Sequence, residues 1–582
     1  MLRIHRFAFI ACLGTLASFA TAHAQDENAP ADLILTGGRI VTVDAGFTIA
    51  EAIAVRGERI VKIGTVDEIA KLQGDDTTVV QLEGKMVIPG LIDSHVHPNG
   101  AAMHEFDHDI PDMQTIDDVL KYIEGLTKTR DEDQWIWVSQ VFITRLREQR
   151  FPTRSELDKV APNHPVVFRT GPDAALNSKA LKLSGIDEDF KVVGAGHLER
   201  DPATGKLNGI LRACTRLIKS GDTGGKKATE EDRQDRLEAL FRDYNSVGIT
   251  AIADRGASSS SINRYAGLLE QNRLSVRVSA SWRIGTGGSV ESIQKNIREV
   301  GNHPLHRRHD MLQIVGIKTY LDGGMLTGSA YMRKPWGVSK IYSIDDPRYR
   351  GVRFIEDEKL VPIVQTTVEE DLQFTAHSVG DGAVHALLDA YAKVNETTPI
   401  RDTRPCLTHS NFMSSEAVDQ MIDLGVVADI QPAWLYLDTR TLQAQFGYDR
   451  LRYFQPLATI FRRRATAGGG SDHMQKIGSL RSINPYNPCL GMQTTITRQA
   501  RWYDGQLHPE EALTRDQALR FYTQNNAYLI FQEENLGTLE TGKLADMVVL
   551  DRDILTCHVD DIVETKVLAT YLGGKLVYER KE

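Results

Sequence analysis

The stretch VIPGLIDSHVH, residues 87–97, is an apolar, β-rich run that ends in two histidines. Residues i and i+2 of a strand face the same side, so a strand over 87–95 would present His95 and His97 together at its carboxyl end. Imidazole pairs suit a divalent metal such as zinc, although an isolated pair is more often structural or exposed. The stretch therefore predicts a buried strand and nominates a metal site.

Further buried-strand candidates follow and alternate with helix-like segments. They are 248–254, 275–282, 313–320, 373–377, 405–409, 426–431 and 465–472. With 87–95 they give eight parallel strands, the number that a closed (β/α)8 TIM barrel requires. The interval between the first two strands is too long for one crossover, so we expect an inserted α/β subdomain at about 115–245. The predicted barrel domain spans 87–536.

Short β-rich runs occupy both ends of the chain, over 31–86 and 537–582. The second region contains a hairpin signal, Gly573-Gly574 between two strand-like runs. Each group alone would bury too little apolar surface, so we expect the two to pair into one small composite β-sandwich. The predicted fold class is α/β: a TIM barrel with an inserted subdomain and this sandwich.

Residues 1–24 have the pattern of a secretory signal peptide. Arg3 and Arg6 precede an apolar run over 7–20, and Ala22-His23-Ala24 fits the small-x-small cleavage rule. A membrane anchor is the less favoured alternative, because the run is shorter than the ~20 residues that a span needs. We expect cleavage after Ala24, a secreted or periplasmic protein, and no membrane span in the mature chain.

Composition limits the partners. The 582 residues include 68 Lys and Arg and 78 Asp and Glu, which gives a formal charge of −10. Proteins that bind nucleic acid usually carry an excess of basic residues, so a nucleic-acid partner is not expected. The hydrophobic share of 41% excludes a disordered chain, and five cysteines are too few for a disulfide framework. A small-molecule substrate remains as the partner class, and self-association into a homo-oligomer is compatible with the sequence.

Ionisable residues stand at the ends of several predicted strands. Lys318 lies near the end of the fourth strand, His377 ends the fifth, His409 the sixth and Asp472 the eighth. Each alone is more often structural, but the carboxyl ends of barrel strands meet at one mouth, where barrel active sites lie. Buried charges persist when they are paired or metal-bound. Together with the two histidines of the first strand, these residues predict a metal site.

The chain resembles the amidohydrolase superfamily, and within it amidohydrolase family 3, a branch of metal-dependent hydrolases that includes N-substituted formamide deformylases. The resemblance runs from residue 31 to 579. Its motifs are 87–97, Gly248-Ile249-Thr250 with Asp254, Lys318 with Asp322-Gly323-Gly324, His377 with 380–384, 470–472, and 537–550.

The resemblance implies a role for each residue at the strand ends. The implied ligands are His95, His97 and Asp472 for one metal ion, His377 and His409 for a second, and a carboxylated Lys318 (a carbamate) as a bridge. The implied cofactor is Zn²⁺ or another divalent metal, with one or two ions per chain. Asp472 would also be the catalytic residue, which takes a proton from water and passes it to the leaving nitrogen.

The resemblance implies an amidohydrolase that cleaves an amide or N-acyl C–N bond with a metal-activated hydroxide, and the pattern of residues 1–24 predicts that it is exported. Lactone hydrolysis, isomerisation or decarboxylation on the same metals is the alternative reading. A binding protein built on an inactive barrel is a third, which the complete ligand set disfavours.

Three further residues are predicted to contact substrate. Asp173 stands where many relatives carry a histidine shortly before an Asn-Ser pair, here Asn177-Ser178. Trp434 follows the seventh strand and could wall a pocket or pack in the core. Arg498 could bind a substrate carboxylate, although a structural ion pair is its commoner use.

Overall fold

The computed structural model describes residues 29–171, 173–193, 196–307 and 309–581. The predicted signal peptide, residues 1–24, lies outside these ranges. No helix within the described ranges is both long and apolar enough to cross a lipid bilayer.

The strands of the described residues, in chain order, are β1 (Leu33–Val41), β2 (Ile49–Arg56), β3 (Arg59–Gly64), β4 (Thr78–Gln81), β5 (Met86–Pro89), β6 (Leu91–Val96), β7 (Ile136–Ser139), β8 (Val166–Thr170), β9 (Asp173–Leu176), β10 (His197–Arg200), β11 (Leu207–Arg212), β12 (Ile249–Ala257), β13 (Arg277–Arg283), β14 (Leu312–Tyr320), β15 (Gln373–Ser378), β16 (Cys406–His409), β17 (Val427–Ile430), β18 (Thr466–Gly469), β19 (Met547–Leu550), β20 (Val567–Leu572) and β21 (Lys575–Glu579).

The α-helices of the same ranges are α1 (Val66–Ala70), α2 (Pro98–Met103), α3 (Ile116–Thr127), α4 (Arg154–Val160), α5 (Ser178–Leu183), α6 (Glu230–Ser246), α7 (Ser259–Glu270), α8 (Val290–Gly301), α9 (Asp357–Glu369), α10 (Asp381–Asn395), α11 (Ser415–Leu424), α12 (Pro432–Phe446), α13 (Leu457–Arg462), α14 (Pro488–Thr497), α15 (Arg515–Tyr522) and α16 (Gln524–Leu529).

The centre of the molecule is a parallel sheet of eight strands in the order β6-β12-β13-β14-β15-β16-β17-β18. The sheet closes on itself where the residues after β18 meet β6: the backbone N–H of Asp472 donates to the carbonyl of His95, and that of His97 to the carbonyl of His473, both at 2.8 Å. Helices connect successive strands and cover the outside. The predicted (β/α)8 TIM barrel is therefore confirmed, and its carboxyl end carries the histidines.

The prediction of one first strand over 87–95 is wrong, because the structure divides this stretch into β5 and β6. β5 pairs with β1 and β19 in a different sheet, whereas β6 begins the barrel. The break falls at Gly90, whose N–H donates to the carbonyl of Asp546 at 2.8 Å. A Cβ on Gly90 would lie 2.1 Å from Oγ1 of Thr250, so this close approach requires glycine.

The two ends of the chain share one sheet of eight strands, in which β1–β5 come from the first end and β19–β21 from the other. β5 joins the two groups, since it pairs with β1 on one side and with β19 on the other. Leu35 and Ile53 pack in one cluster with Met547 and Tyr571. This sheet contacts the amino end of the barrel, where Asp546 forms a buried ion pair with Arg277 at the start of β13.

The interval between β6 and β12 contains a separate five-stranded sheet in the order β10-β11-β9-β8-β7. Its strands and the neighbouring α3, α4 and α5 enclose their own apolar clusters. α6 follows this sheet and packs on the barrel through Leu240, Phe241 and Tyr244. The chain thus leaves the barrel after β6 to form the inserted sheet, and it returns to the barrel before α6.

Candidate metal centre

His95, His97 and Asp472 converge at the mouth of the barrel. Nε2 of His95 lies 3.3 Å from Nε2 of His97, and Oδ1 of Asp472 lies 3.5 Å and 3.3 Å from these two nitrogens. All three ligand atoms fall within 4.8 Å of one another. Two imidazole nitrogens and one carboxylate oxygen in this arrangement are a donor set that zinc and similar cations use.

Asp93 aligns the two segments that carry these ligands. Its Oδ1 accepts the backbone N–H groups of His95 and Ser471, both at 3.0 Å, and so ties β6 to the segment after β18. Burial raises the pKa of Asp93 to about 7. Gly470 is required here, because a Cβ would lie 2.8 Å from the backbone nitrogen of His95. Asp472 itself has a positive φ of 56°, a conformation that costs energy outside glycine.

His377 and His409 form a second group beside the first. Their ring centroids are 4.5 Å apart, and the His409 ring stacks on His95 with centroids 4.8 Å apart. His377 lies in β15 and His409 ends β16, with a positive φ of 72°. The structure thus brings the histidines of three strands into one cluster.

Lys318 is buried in β14, which pairs with β15, the strand that carries His377. Burial lowers the pKa of its amine to about 8, against the raising effect of Asp429 and Asp472. Its positive charge in turn contributes to the low pKa values of His95 and His377.

The carboxylate of Asp322, the nearest sequence candidate for an ion pair with Lys318, bonds elsewhere. It accepts the backbone N–H groups of Tyr331, Val379 and Gly380 at 2.9 to 3.0 Å. Burial raises the pKa of Asp322 to about 7. This residue therefore fixes the loops after β14 and β15, and its carboxylate is used by these backbone N–H groups and not by Lys318.

The buried imidazoles are neutral at ordinary pH. Burial lowers the pKa values of His95 and His409 well below the usual range and that of His377 to about 3. Burial also raises the pKa of Asp472, although His97 opposes this effect. A neutral imidazole keeps a free nitrogen lone pair, which is the form that binds a metal. The donor set therefore fits a divalent cation in its chemistry as well as its geometry.

Asp429 and Gln431 were not among the site residues predicted from the sequence. Oδ1 of Asp429 lies 3.1 Å from Nδ1 of His95, and Oε1 of Gln431 lies 2.7 Å from Nδ1 of His409. Metal-binding histidines usually donate their second N–H to such a group. The signal available in the sequence was an acid and an amide inside the otherwise apolar run VVADIQ, residues 426–431.

Trp434 is buried beside the second group of histidines. Its ring stacks on His409 with centroids 5.2 Å apart, and its side chain belongs to the apolar cluster at that side of the mouth. Its indole N–H is buried and has no hydrogen-bond partner among the described residues. Its place in this cluster fits the core-packing alternative, and its contact with substrate stays a prediction.

Asp173 lies at the start of β9 in the inserted sheet. Its carboxylate accepts the backbone N–H of Ala213 at 2.8 Å and pairs with Arg212 at 3.1 Å. With Tyr349 and Phe354 it lines a cavity of about 460 Å³ beside the loop that follows β14. A role for Asp173 in substrate binding also stays a prediction.

The structure does not support the predicted role of Arg498 in binding a substrate carboxylate. Its guanidinium is fully buried and donates to the main-chain carbonyls of Phe454, Gln455 and Leu507, each at 2.9 Å. These bonds hold the loop after α12 against the segment that follows α14. Arg498 is therefore a structural residue without a free face for a substrate carboxylate.

Comparison with known proteins identifies the family of the chain. The Amidohydrolase family matches residues 78–578. The N-substituted formamide deformylase of Arthrobacter pascens is 29% identical over 560 residues, which are 94% of this chain and 98% of that protein. Protein LONG AFTER FAR-RED 3 of Arabidopsis thaliana is 27% identical over 570 residues, 94% of this chain and 92% of its own.

Among solved structures, an uncharacterized metal-dependent hydrolase from Pyrococcus horikoshii OT3 has a similar fold. It superposes with a TM-score of 0.65 at 20% identity and covers 91% of this chain and 99% of its own. The resemblance predicted from the sequence motifs is thus confirmed. The chain belongs to the amidohydrolase family and is a hydrolase that acts on carbon–nitrogen bonds.

Proposed function

We propose that the chain hydrolyses the C–N bond of a small N-acyl or amide compound at His95, His97 and Asp472. The convergence of their three ligand atoms within 4.8 Å at the barrel mouth carries this proposal. The relative from Arthrobacter pascens is named for N-substituted formamides, which makes N-formyl amines the first substrate class to test. Zinc is the first metal to test, because histidine nitrogens and a carboxylate are its usual ligands.

A divalent ion held by these residues would polarise the acyl carbonyl and lower the pKa of bound water to about 7. Asp472 is then the proton carrier of the chain. Its Oδ1 is one of the three converging atoms, and burial raises the pKa of the carboxyl group, which makes it a stronger base for the proton of the attacking water. The proton goes from the attacking water to Asp472 and from there to the leaving nitrogen, which departs as the amine.

Lys318 is proposed to carry a carbamate. Only a neutral amine attacks carbon dioxide, and a pKa of about 8 leaves about 10% of the amine neutral at pH 7, against about 0.03% for an exposed lysine. In this reaction a bond forms between Nζ and the carbon of CO₂, and one proton is released. The anionic product would supply oxygen ligands between His95 and the pair His377 and His409, which could then hold a second ion.

Trp434 is proposed to contact the substrate. Its ring covers the His409 side of the cluster, and its indole N–H is unpaired among the described residues. A buried indole N–H usually has a partner, so an oxygen of the bound acyl group is a suitable acceptor.

We further propose that the protein is exported after cleavage behind Ala24. The basic, apolar and small-residue pattern of residues 1–24 supports this proposal. Amino-terminal sequencing of protein recovered from the envelope fraction of a bacterial host tests it. A start at Gln25 is expected, and a chain that retains Met1 in the cytoplasm would contradict it.

The activity is tested with purified, zinc-loaded protein and a set of N-formyl amines, N-acetyl amines, cyclic amides and lactones. We expect equimolar release of amine and carboxylic acid, and loss of this release in His97→Ala. His558→Ala is the matched control, because His558 is exposed, and this variant should keep full turnover. Turnover of lactones alone would reject C–N hydrolysis, and equal turnover in His97→Ala would reject the site.

A further inference from the structure

One buried carboxylate reaches both groups of histidines. Asp429 lies in β17 and is fully buried inside the barrel. Its Oδ1 is 3.1 Å from Nδ1 of His95 and accepts the side-chain N–H of Gln431 at 2.7 Å. Gln431 in turn lies 2.7 Å from Nδ1 of His409. A continuous chain of hydrogen bonds thus runs from His95 through Asp429 and Gln431 to His409.

The chemistry of these groups fixes the direction of each bond. An ionised carboxylate can only accept, so Nδ1 of His95 must carry its proton and leave the Nε2 lone pair free. The amide nitrogen of Gln431 must face Asp429 for the same reason, which turns Oε1 toward His409. The amide oxygen also only accepts, so Nδ1 of His409 carries a proton as well. One carboxylate thereby decides the tautomers of two histidines on different strands.

Arg255 holds this carboxylate in place. Its guanidinium is fully buried, and Nε lies 3.3 Å from Oδ2 of Asp429. The same guanidinium donates to Oγ of Ser281 at 3.0 Å and to Oε1 of Gln373 at 2.6 Å. Burying a carboxylate is costly unless an opposite charge lies beside it, and Arg255 supplies that charge.

We propose that Asp429, held by Arg255, is the positioning residue that sets the tautomer and orientation of His95 directly and of His409 through Gln431. The two groups of histidines are then coupled through Asp429 and Gln431. This inference rests on the proposed metal at His95 and His409, and it is independent of which substrate is hydrolysed.

The test is the zinc affinity of metal-free protein, measured by competition with a chelating dye, together with the visible spectrum of the Co²⁺-substituted protein. Loss of such a supporting contact typically weakens metal binding about 10–100-fold, and we expect this loss in Asp429→Asn. The cobalt spectrum should change as well, because the amide of the new asparagine no longer enforces either tautomer. A purely structural role of Asp429 would lower stability and leave the spectrum unchanged.

Two more variants sharpen the test. Gln431→Met keeps the contact between Asp429 and His95 and should change the cobalt spectrum through His409, which provides a result even where Asp429→Asn does not fold. Asp546→Asn breaks the buried ion pair with Arg277 at the opposite end of the barrel, where Nε and Oδ2 are 2.8 Å apart. This control should lose stability and bind zinc as the wild type does.

The outcomes separate the two claims. If the wild-type protein does not bind zinc, the metal centre itself is wrong and the positioning role falls with it. If the wild type binds zinc and Asp429→Asn and Gln431→Met bind it equally tightly with unchanged cobalt spectra, the metal centre stands and the positioning role is refuted.

Discussion

Replacing Lys318 with methionine should stabilise the metal-free protein. Lys318 is fully buried among the histidines of the site, and burial lowers the pKa of its amine from the ordinary 10.5 to about 8. The folded protein therefore holds an ammonium in a place that disfavours it whenever the pH is below 8. Methionine has a similar length and no charge, so Lys318→Met removes this penalty.

The size and the pH dependence follow from the two pKa values. At ~1.4 kcal/mol per pH unit, the difference between 10.5 and about 8 corresponds to about 3 kcal/mol. Between pH 8 and 10.5 the unfolded chain binds more protons than the folded one, so the stability of the wild type rises with pH there. The advantage of Lys318→Met should be complete below pH 8, shrink across this window and vanish above it.

The assay is urea unfolding of metal-free protein in CO₂-free buffer at several pH values from 6 to 11. Lys295→Met is the matched control, because Lys295 is exposed and, within the described ranges, forms an ion pair with Glu299 on its own helix. Surface changes of this kind usually stay within about 0.5 kcal/mol. Equal unfolding free energies of wild type and Lys318→Met at pH 7 would refute a buried ammonium at this position.

Three further predictions concern the chemistry. Asp472→Asn should lower kcat at least ~10²–10⁴-fold with the fold retained in circular dichroism, because it removes the proton carrier; near-normal turnover would reject that role. Lys318→Ala should lose most hydrolysis and at least one metal ion, and formate or acetate should restore part of both; normal metal content with normal turnover would exclude the bridge. Trp434→Phe keeps the ring beside His409 but removes the N–H, so kcat/KM should fall about tenfold, and an unchanged value would remove Trp434 from substrate binding.

The barrel was predictable because its signals are local. Each buried strand is a short apolar run, and the ionisable residues Lys318, His377 and His409 stand where such runs end. In a parallel barrel these ends meet at one mouth, so the positions of these residues along the chain predicted that they would lie at one end of the barrel.

The errors have the opposite cause, since they depend on contacts distant in sequence. Residues 87–95 were predicted as one strand, but pairing with β19 takes the first part into another sheet and Gly90 divides the two. Asp429 looks like a lone acid until β17 is placed beside His95. The donors of Arg498 are satisfied by carbonyls of two separate loops, which no local pattern reveals.

Titration of zinc into the metal-free protein, with formate release from an N-substituted formamide as the signal, tests the central claim most directly. We expect no formate release without metal, and formate release that rises and saturates at about one to two equivalents of zinc per chain. His97→Ala, which removes one of the three converging ligands, should require far more zinc or stay inactive. Full turnover by metal-free protein, or a zinc response that His97→Ala leaves unchanged, would contradict the account.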